Sequence, residues 1–283
     1  SFRLLDQFTD AGFNLIDTAD MYSTWTGQPG ISETIIGRWL KKSGKRGKVL
    51  IATKVGLEVA PGESGLSRSH ILRSVEGSLR RLQTDHIDLY QAHRDDPQSP
   101  LEETLETFSE LVKAGKVKFV GASNYSGARL SEALALSQKN GWPQFSTLQP
   151  QYNLYDREPF ESELAPVCKK NGIGVLPYYS LAAGFLTGKY RSKKDFVLSP
   201  RGPGMERYLN ARGEKILAAL DKAAAEEGAS LAQISFAWLA AQNPVLAPIA
   251  SATSTEQLGE LIAGARRILS PTTLAALSTA SAP

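Results

Sequence analysis

"NLIDTADMYSTW" (residues 14–25) poses the question on which the fold turns. An apolar run passes into Asp17 and Thr18, then Asp20, with Tyr22 five residues beyond Asp17. A strand ordinarily ends in turn-forming residues; this one ends in titratable side chains. The pattern recurs along the chain. "KVLIATKV" (48–55) delivers Lys54 to its tip, and "HIDLYQAH" (86–93) delivers His93. "KVKFVGASN" (116–124) ends in Ser123 and Asn124, and "FSTLQPQY" (145–152) carries Gln149. "IGVLPYYS" (173–180) carries Tyr178, and "VLAPIAS" (245–251) ends in Ser251. Through Tyr178, each polar tip follows the one before it by about the length of one strand–helix unit.

Amphipathic segments lie between the strands. Helical periodicity covers 31–43, 67–83 (with Ser67 or Ser69 as cap), 99–115, 127–141 and 157–172. The 99–115 segment carries Ser99 as its expected cap and Pro100 at the first turn. A longer polar loop, about 182–209, precedes two more helices and then the helix 254–268. The strands read as nearly continuous apolar runs, as in parallel sheets covered on both faces. The pattern predicts an α/β protein, a (β/α)8 TIM barrel forming a single domain over 1–283. Seven strands are visible, and a closed barrel needs eight. "SFRLLDQFTDAG" (1–12) already reads as a helix, so the first strand is expected among residues before Ser1. An open doubly wound sheet is the rival, but neither G-x-G-x-x-G nor G-x-x-x-x-G-K-[ST] occurs. The serine-hydrolase elbow G-x-S-x-G is absent as well.

Composition narrows the class. A net charge of +3 and 22% charged residues are ordinary for a globular chain. The densest basic stretch, "KKSGKRGK" (41–48), reads as a solvated helix end and loop rather than a nucleic-acid patch. No apolar run approaches the ~18 residues of a membrane span, and no signal peptide is visible. A cytoplasmic protein with neither nucleic acid nor membrane as partner is expected. The single cysteine, Cys168, excludes an internal disulfide and reads as a small core residue. The three histidines, His70, His86 and His93, share no metal-ligand spacing, so no metal is expected.

Taken singly, each tip has a bland reading. Asp17 suits an Asx turn, Lys54 a solvated strand end, His93 a hydrogen-bonded rim histidine and Tyr22 a packed loop aromatic. Jointly they demand more, because buried Lys and Asp are costly unless paired. Tyrosine, with a pKa near ~10, is a poor acid at neutral pH, and a nearby ammonium stabilises its phenolate. Asp17 would keep Lys54 charged and placed, and His93 would donate a hydrogen bond to a substrate oxygen. The product is an acid able to protonate an oxyanion forming on a carbonyl. No side chain supplies a hydride, so this chemistry calls for a nicotinamide cofactor. Ser123, Asn124 and Gln149 suit its carboxamide, and Tyr178 offers a flat face to the ring. Asp20 reads as a loop or turn residue.

Through these residues and the segments around them, the chain resembles the aldo-keto reductase family. The matching segments are "GFNLIDTADMYS", "VLIATKVG", "IDLYQAH", "KVKFVGASN", "LQPQYNL", "YYSLAAGFLTGKY" and "APIASATSTEQL". The resemblance implies NADPH-dependent carbonyl reduction on a (β/α)8 barrel. It implies a tetrad of Asp17, Tyr22, Lys54 and His93, with Tyr22 as general acid. It implies that Ser123, Asn124 and Gln149 hold the carboxamide and that Tyr178 stacks on the nicotinamide. The 184–190 loop would lie over the pyrophosphate, with Leu181, Gly184 and Leu186 nearby. The segment of Ser251, Thr253, Ser254 and Gln257 would hold the adenosine phosphate end at a helix N-terminus. The strand and hairpin that precede "SFRLLDQF" in relatives lie outside these residues. Where many relatives place Lys or Arg, this chain has Ser251; NADH is therefore the alternative cofactor, and Lys189 or Arg191 would compensate for the missing cation. "YYSL" (178–181) stands where relatives have Tyr-Ser-Pro-Leu. Two other readings stand beside the reductase acting on a small carbonyl substrate. One is a cofactor-binding accessory or regulatory subunit resembling potassium-channel β subunits. The other is a Schiff-base aldolase barrel using Lys54.

Overall fold

Apolar runs alternating with amphipathic ones become parallel strands and intervening helices in the computed structural model. It describes residues 1–283 apart from the Trp25 side chain. The chain divides into two compact units. The first comprises Ser1–Gln149 with Asn171–Ile173. It runs α1 (Phe2–Asp10), β1 (Leu15–Asp17), α2 (Ile31–Ser43), β2 (Leu50–Val55), α3 (Arg68–Leu82) and β3 (Ile87–Ala92). It continues with α4 (Leu101–Lys113), β4 (Val117–Ser123), α5 (Gly127–Asn140) and β5 (Thr147–Gln149). Each strand pairs in parallel with the next. Strand–helix alternation, parallel pairing and consecutive order place the fold in the (β/α)8-barrel class.

Register decides what the strands present. Lys54 stands opposite Gln91, Gln91 opposite Gly121, and Gly121 opposite Thr147. Successive side chains alternate between faces, so these four form one row on one face. Asp17, opposite Ala52, and Gln149, opposite Ser123, fall on that same face. Thr53 and Tyr90 fall on the other, toward the helices. There α2 and α3 approach closely: a Cβ on Gly37 would lie 2.7 Å from the Leu82 carbonyl carbon.

Serine caps form at two helices of this unit, and one expected cap does not form. Ser67 and Ser126 cap α3 and α5 by accepting backbone N–H groups. Ser99 does not cap α4. Its hydroxyl donates instead to Asp96 Oδ2 at 2.6 Å, and Pro100 takes the cap position with no side-chain bond. A carboxylate two to three residues upstream outcompetes the helix end for that hydroxyl. Two of the five basic residues in 41–48 are tied down within the molecule. Lys45 reaches Asp10 at 2.8 Å and Asp6 at 3.3 Å, and Arg46 reaches Asp88 at 2.7 Å.

The second unit comprises Pro150–Lys170 with Gly174–Pro283. A π-turn at Phe160–Leu164 leads into α6 (Ala165–Asn171), followed by the short β6 (Gly174–Val175). Three short 3-10 segments then occupy the stretch read as a polar loop. After them come α7 (Ala211–Glu227), α8 (Leu231–Ala240), α9 (Thr255–Arg266) and α10 (Pro271–Ala280). The strand expected at 245–251 does not form a ladder. Val245 makes an isolated bridge to Val175, and the Leu246 and Ile249 N–H groups donate to Val175 and Pro177 carbonyls at 2.8 and 2.9 Å. Pro244 and Pro248 lack N–H groups, which breaks the regular pairing. Cys168 is fully buried, and its thiol is pushed up to about 11 by that burial. Among the described residues no helix is long and apolar enough to cross a membrane, and no cluster could hold a metal ion.

Asp88, nearly fully buried on β3, ties three strands together. It accepts from the Ile51 N–H of β2 at 2.9 Å, Lys118 of β4 at 2.8 Å and Arg46 at 2.7 Å. Burial pushes its carboxyl up, but the Ile51 N–H and the two cations outweigh that and hold it below the usual range. Asp88→Ala is expected to cost about 2–3 kcal/mol, since charged hydrogen bonds are lost and a buried N–H is orphaned. Urea denaturation checks this; a loss under about 0.5 kcal/mol would contradict the role.

Candidate active site

Within the first unit the polar strand tips meet. Lys54 has no exposed surface and donates to Asp17 Oδ2 at 2.7 Å, to the Thr18 carbonyl at 2.7 Å and to Tyr22 Oη at 3.4 Å. Tyr22 is brought there by backbone pairing. After β1 the chain keeps following β2, with the Thr18 N–H on the Ala52 carbonyl and the Asp20 N–H on the Lys54 carbonyl. It then turns, with the Tyr22 N–H on the Ala19 carbonyl. The five-residue gap between Asp17 and Tyr22 is one further step of pairing plus one turn.

His93 continues β3 by donating its N–H to the Val55 carbonyl at 2.8 Å, and its ring meets Tyr22 edge-on at 5.9 Å. Asn124 adopts a left-handed φ of 55°, a conformation Asn tolerates better than most residues. From there its Nδ2 donates to the His93 carbonyl at 2.9 Å and to Ser123 Oγ at 3.0 Å. Ser123 Oγ donates to the Gln149 carbonyl at 2.8 Å, and Gln149 Nε2 donates to Asp17 Oδ1 at 3.0 Å. Asp17, Tyr22, Lys54, His93, Ser123, Asn124 and Gln149 are thus joined through side-chain, backbone and ring contacts.

The charges are well defined. Burial alone would pull Lys54 down, but the Asp17 carboxylate, helped by Tyr22, outweighs it and holds the ammonium above the usual lysine range. His93 is lowered to about 3, first by burial and then by the Lys54 and Arg94 charges. Its imidazole is therefore neutral across the physiological range. Its Nδ1 is buried with no hydrogen-bond partner among the described residues.

The remaining candidate residues belong to the second unit. Tyr178 bridges to Gln151, and its N–H donates to the Pro150 carbonyl at 2.9 Å. The 181–188 loop is strained: Ala182, Ala183, Gly184 and Gly188 all have left-handed φ. Each non-glycine residue held this way costs of order 1 kcal/mol or more. Leu186 is buried, and the Gly184 and Leu186 N–H groups both turn back to the Leu181 carbonyl. Lys189 Nζ lies 5.0 Å from the Tyr190 ring centre. The Arg191 guanidinium donates two hydrogen bonds to the Asp221 carboxylate, at 2.7 and 2.9 Å, so its charge is already partnered. Ser251 is exposed. Ser254 caps α9, while the Thr253 N–H and hydroxyl both donate to Gln257 Oε1 at 2.9 Å.

Sequence reading missed a second polar group on the opposite face of β2 and β3. Glu33 is fully buried; it accepts from Thr53 Oγ1 at 2.6 Å and from Arg81 Nε at 2.7 Å. Asp20 sits in a turn, as expected, yet it is almost fully buried, and neither carboxyl oxygen has a hydrogen-bond partner among the described residues. The Met21 N–H favours its anion but lies outside hydrogen-bond geometry. Burial first, then the Glu33 charge, raise Asp20 from 3.8 to about 7 against the pull of Arg81. The hydroxyl of Tyr90 is also buried without a partner among the described residues. Glu33 looked like an ordinary first-turn helix acid, and only the loop's path reveals that both acids point inward.

A stability prediction follows from Asp20. The unfolded chain ionises it near 3.8, whereas the folded chain keeps the proton to about 7. Its contribution to stability is therefore fully present below 3.8, falls as pH rises through that window and is lost above about 7. Asp20→Asn removes the ionisation, so the variant should gain stability relative to the parent between pH 4 and pH 8, by about 4 kcal/mol at most. Denaturant melts at the two pH values measure this; a pH-independent difference would contradict it.

The aldo/keto reductase family model matches residues 1–281. An uncharacterized oxidoreductase, YrpG, of Bacillus subtilis (strain 168) is 37% identical over 93% of this chain and 81% of its own length. The aldo-keto reductase YhdN of the same organism is 39% identical over 81% of this chain and 68% of its own length. A probable voltage-gated potassium channel subunit beta of Oryza sativa subsp. japonica is 33% identical over 91% of this chain and 79% of its own length. Parallel strands delivering Asp17, Lys54 and His93 to one cluster with Tyr22, and a family match over nearly every residue, have one reading: the chain belongs to the aldo/keto reductase family of oxidoreductases.

Proposed function

We propose that this protein reduces small aldehydes or ketones to alcohols with NADPH, Tyr22 serving as the general acid. The observation that carries this reading is the Lys54 ammonium, 2.7 Å from Asp17 and 3.4 Å from Tyr22 Oη. Tyr22 holds the proton that passes from Oη to the substrate oxygen. The phenolate left behind sits against an ammonium that burial cannot neutralise, because Asp17 holds its charge. Solvent then returns the proton to Tyr22. Neutral His93 offers the substrate oxygen a hydrogen bond without adding charge.

The donor set fits a nicotinamide. Its carboxamide has both donor and acceptor groups, and Ser123, Asn124 and Gln149 offer hydroxyl and amide partners for them. When bound, the nicotinamide supplies the hydride that no side chain can. From the second unit, we assign Tyr178 to the ring, and Leu181, Gly184 and Leu186 to the pyrophosphate. The strained 181–188 loop supports that assignment, because strain of this kind gathers at ligand-binding segments. Ser251, Thr253, Ser254 and Gln257 at the start of α9 are assigned to the adenosine phosphate end. With Arg191 held by Asp221, Lys189 is the cation we assign to a 2′-phosphate, and NADH remains the alternative.

A regulatory reading is supported by the similarity to the rice channel subunit beta. The Schiff-base alternative is disfavoured because imine formation needs a neutral amine, and Lys54 is held charged. Tyr22→Phe should lower carbonyl reduction about 100- to 10,000-fold, with the NADPH dissociation constant unchanged within about threefold, since the variant loses only a hydroxyl. Steady-state kinetics and fluorescence titration check both. Near-normal turnover would overturn the assignment, and negligible parental turnover on a broad aldehyde panel, with cofactor bound, would favour the regulatory reading.

A further inference from the structure

One buried polar residue stands opposite Lys54 and takes no part in the proton transfer proposed for Tyr22. Gln91 is completely buried on β3, in the row that contains Lys54, Gly121 and Thr147. Its neighbour Gly121 leaves the space that the row needs. A Cβ there would collide with the Thr147 hydroxyl and lie 3.1 Å from Gln91 Cγ. Gln91 Oε1 accepts from Gln149 Nε2 at 3.5 Å, and the same Nε2 donates to Asp17 Oδ1 at 3.0 Å. Gln91 Nε2 has no partner among the described residues.

These contacts constrain the Gln149 amide. Its NH2 faces two acceptors, one of them an anion whose other oxygen holds Lys54. Turning the amide over would set its carbonyl oxygen against the Asp17 carboxylate and against Gln91 Oε1. The amide nitrogen and oxygen lie on opposite sides of one carbon, so locking the nitrogen inward presents the oxygen outward. That oxygen is an acceptor, suited to the NH2 of a carboxamide.

We propose that Gln91 is a positioning residue: with Asp17 it locks the Gln149 amide so that its oxygen faces the carboxamide of a nicotinamide cofactor. The inference rests on the assignment of Gln149 to that carboxamide. It also makes Asp17 serve both halves of the site, one carboxylate oxygen placing the lysine and the other placing the cofactor residue. Gln91 touches neither substrate nor cofactor.

The test is binding to the full-length chain, with three probes. NADPH carries the carboxamide. Its 3-acetylpyridine analogue replaces the NH2 with a methyl group. 2′-Phospho-ADP-ribose lacks the ring. In the parent, NADPH should bind more tightly than the acetylpyridine analogue. Gln91→Met, similar in size but without an amide, should weaken NADPH about 3- to 10-fold, the range of one neutral hydrogen bond, and leave the other two within twofold. Normal binding of the ring-less fragment shows that a variant is folded. Gln91→Asn, a milder change in packing, gives the same readout if Gln91→Met does not fold. Equal weakening of all three probes, or of none, would overturn the proposal while leaving the Gln149 assignment standing. A parent chain that binds NADPH no better than the acetylpyridine analogue would overturn both.

Discussion

A lysine with no exposed surface lies among the polar strand tips of the first unit, and one carboxylate does most to keep it charged. Burying an ammonium without a partner costs several kcal/mol. Asp17 at 2.7 Å offsets that cost, and the Thr18 carbonyl takes a second proton of the same group. Much else in the cluster serves this pair. The parallel register of β1 on β2 brings Asp17 and Lys54 onto one face. The extra pairing of Thr18 and Asp20 with β2 brings Tyr22 back over Lys54. Gln149 holds the other oxygen of the carboxylate.

The polar tips were legible because each interrupts an apolar run with a group that burial penalises. Asp17, Lys54 and His93 therefore stood out, and so did the parallel strands that carry them. Gln91 did not stand out. It lies inside "DLYQAH", two residues short of the tip at His93; its amide carries no charge, and its partners are set only by pairing across three strands. Asp17 and Asp20 looked alike in sequence, separated by two small residues. What separates them is the face of the sheet: one meets Lys54, the other faces Glu33 and Arg81 behind it. The strand expected at 245–251 failed for a reason visible in its own letters. Pro248 inside it, and Pro244 just before it, each lack a donor in a stretch whose apolar composition otherwise reads as β.

Behind β2 lies a second concentration of charge that stability alone does not favour. The Asp20 carboxyl is buried with no hydrogen-bond partner among the described residues, and Glu33 is held by Thr53 and Arg81. The close approach of α2 and α3 at Gly37 brings Arg81 within reach of Glu33. Because the Asp20 N–H is anchored to the Lys54 carbonyl, the turn carrying Tyr22 starts from this buried group. Proton occupancy at Asp20 and placement of the tyrosine thus share one short segment of backbone.

The pair itself can be observed directly. Nitrogen-15 NMR of lysine side chains, with Lys54 assigned by substitution, reports whether its Nζ is an ammonium at each pH. In the parent protein Lys54 should keep its proton to a pH above that of ordinary lysines, because Asp17 outweighs burial. In Asp17→Asn it should titrate below them, because burial then acts without a counter-charge. A Lys54 that loses its proton near neutral pH in the parent, or one indifferent to Asp17→Asn, would contradict the claim that this pair holds the site together.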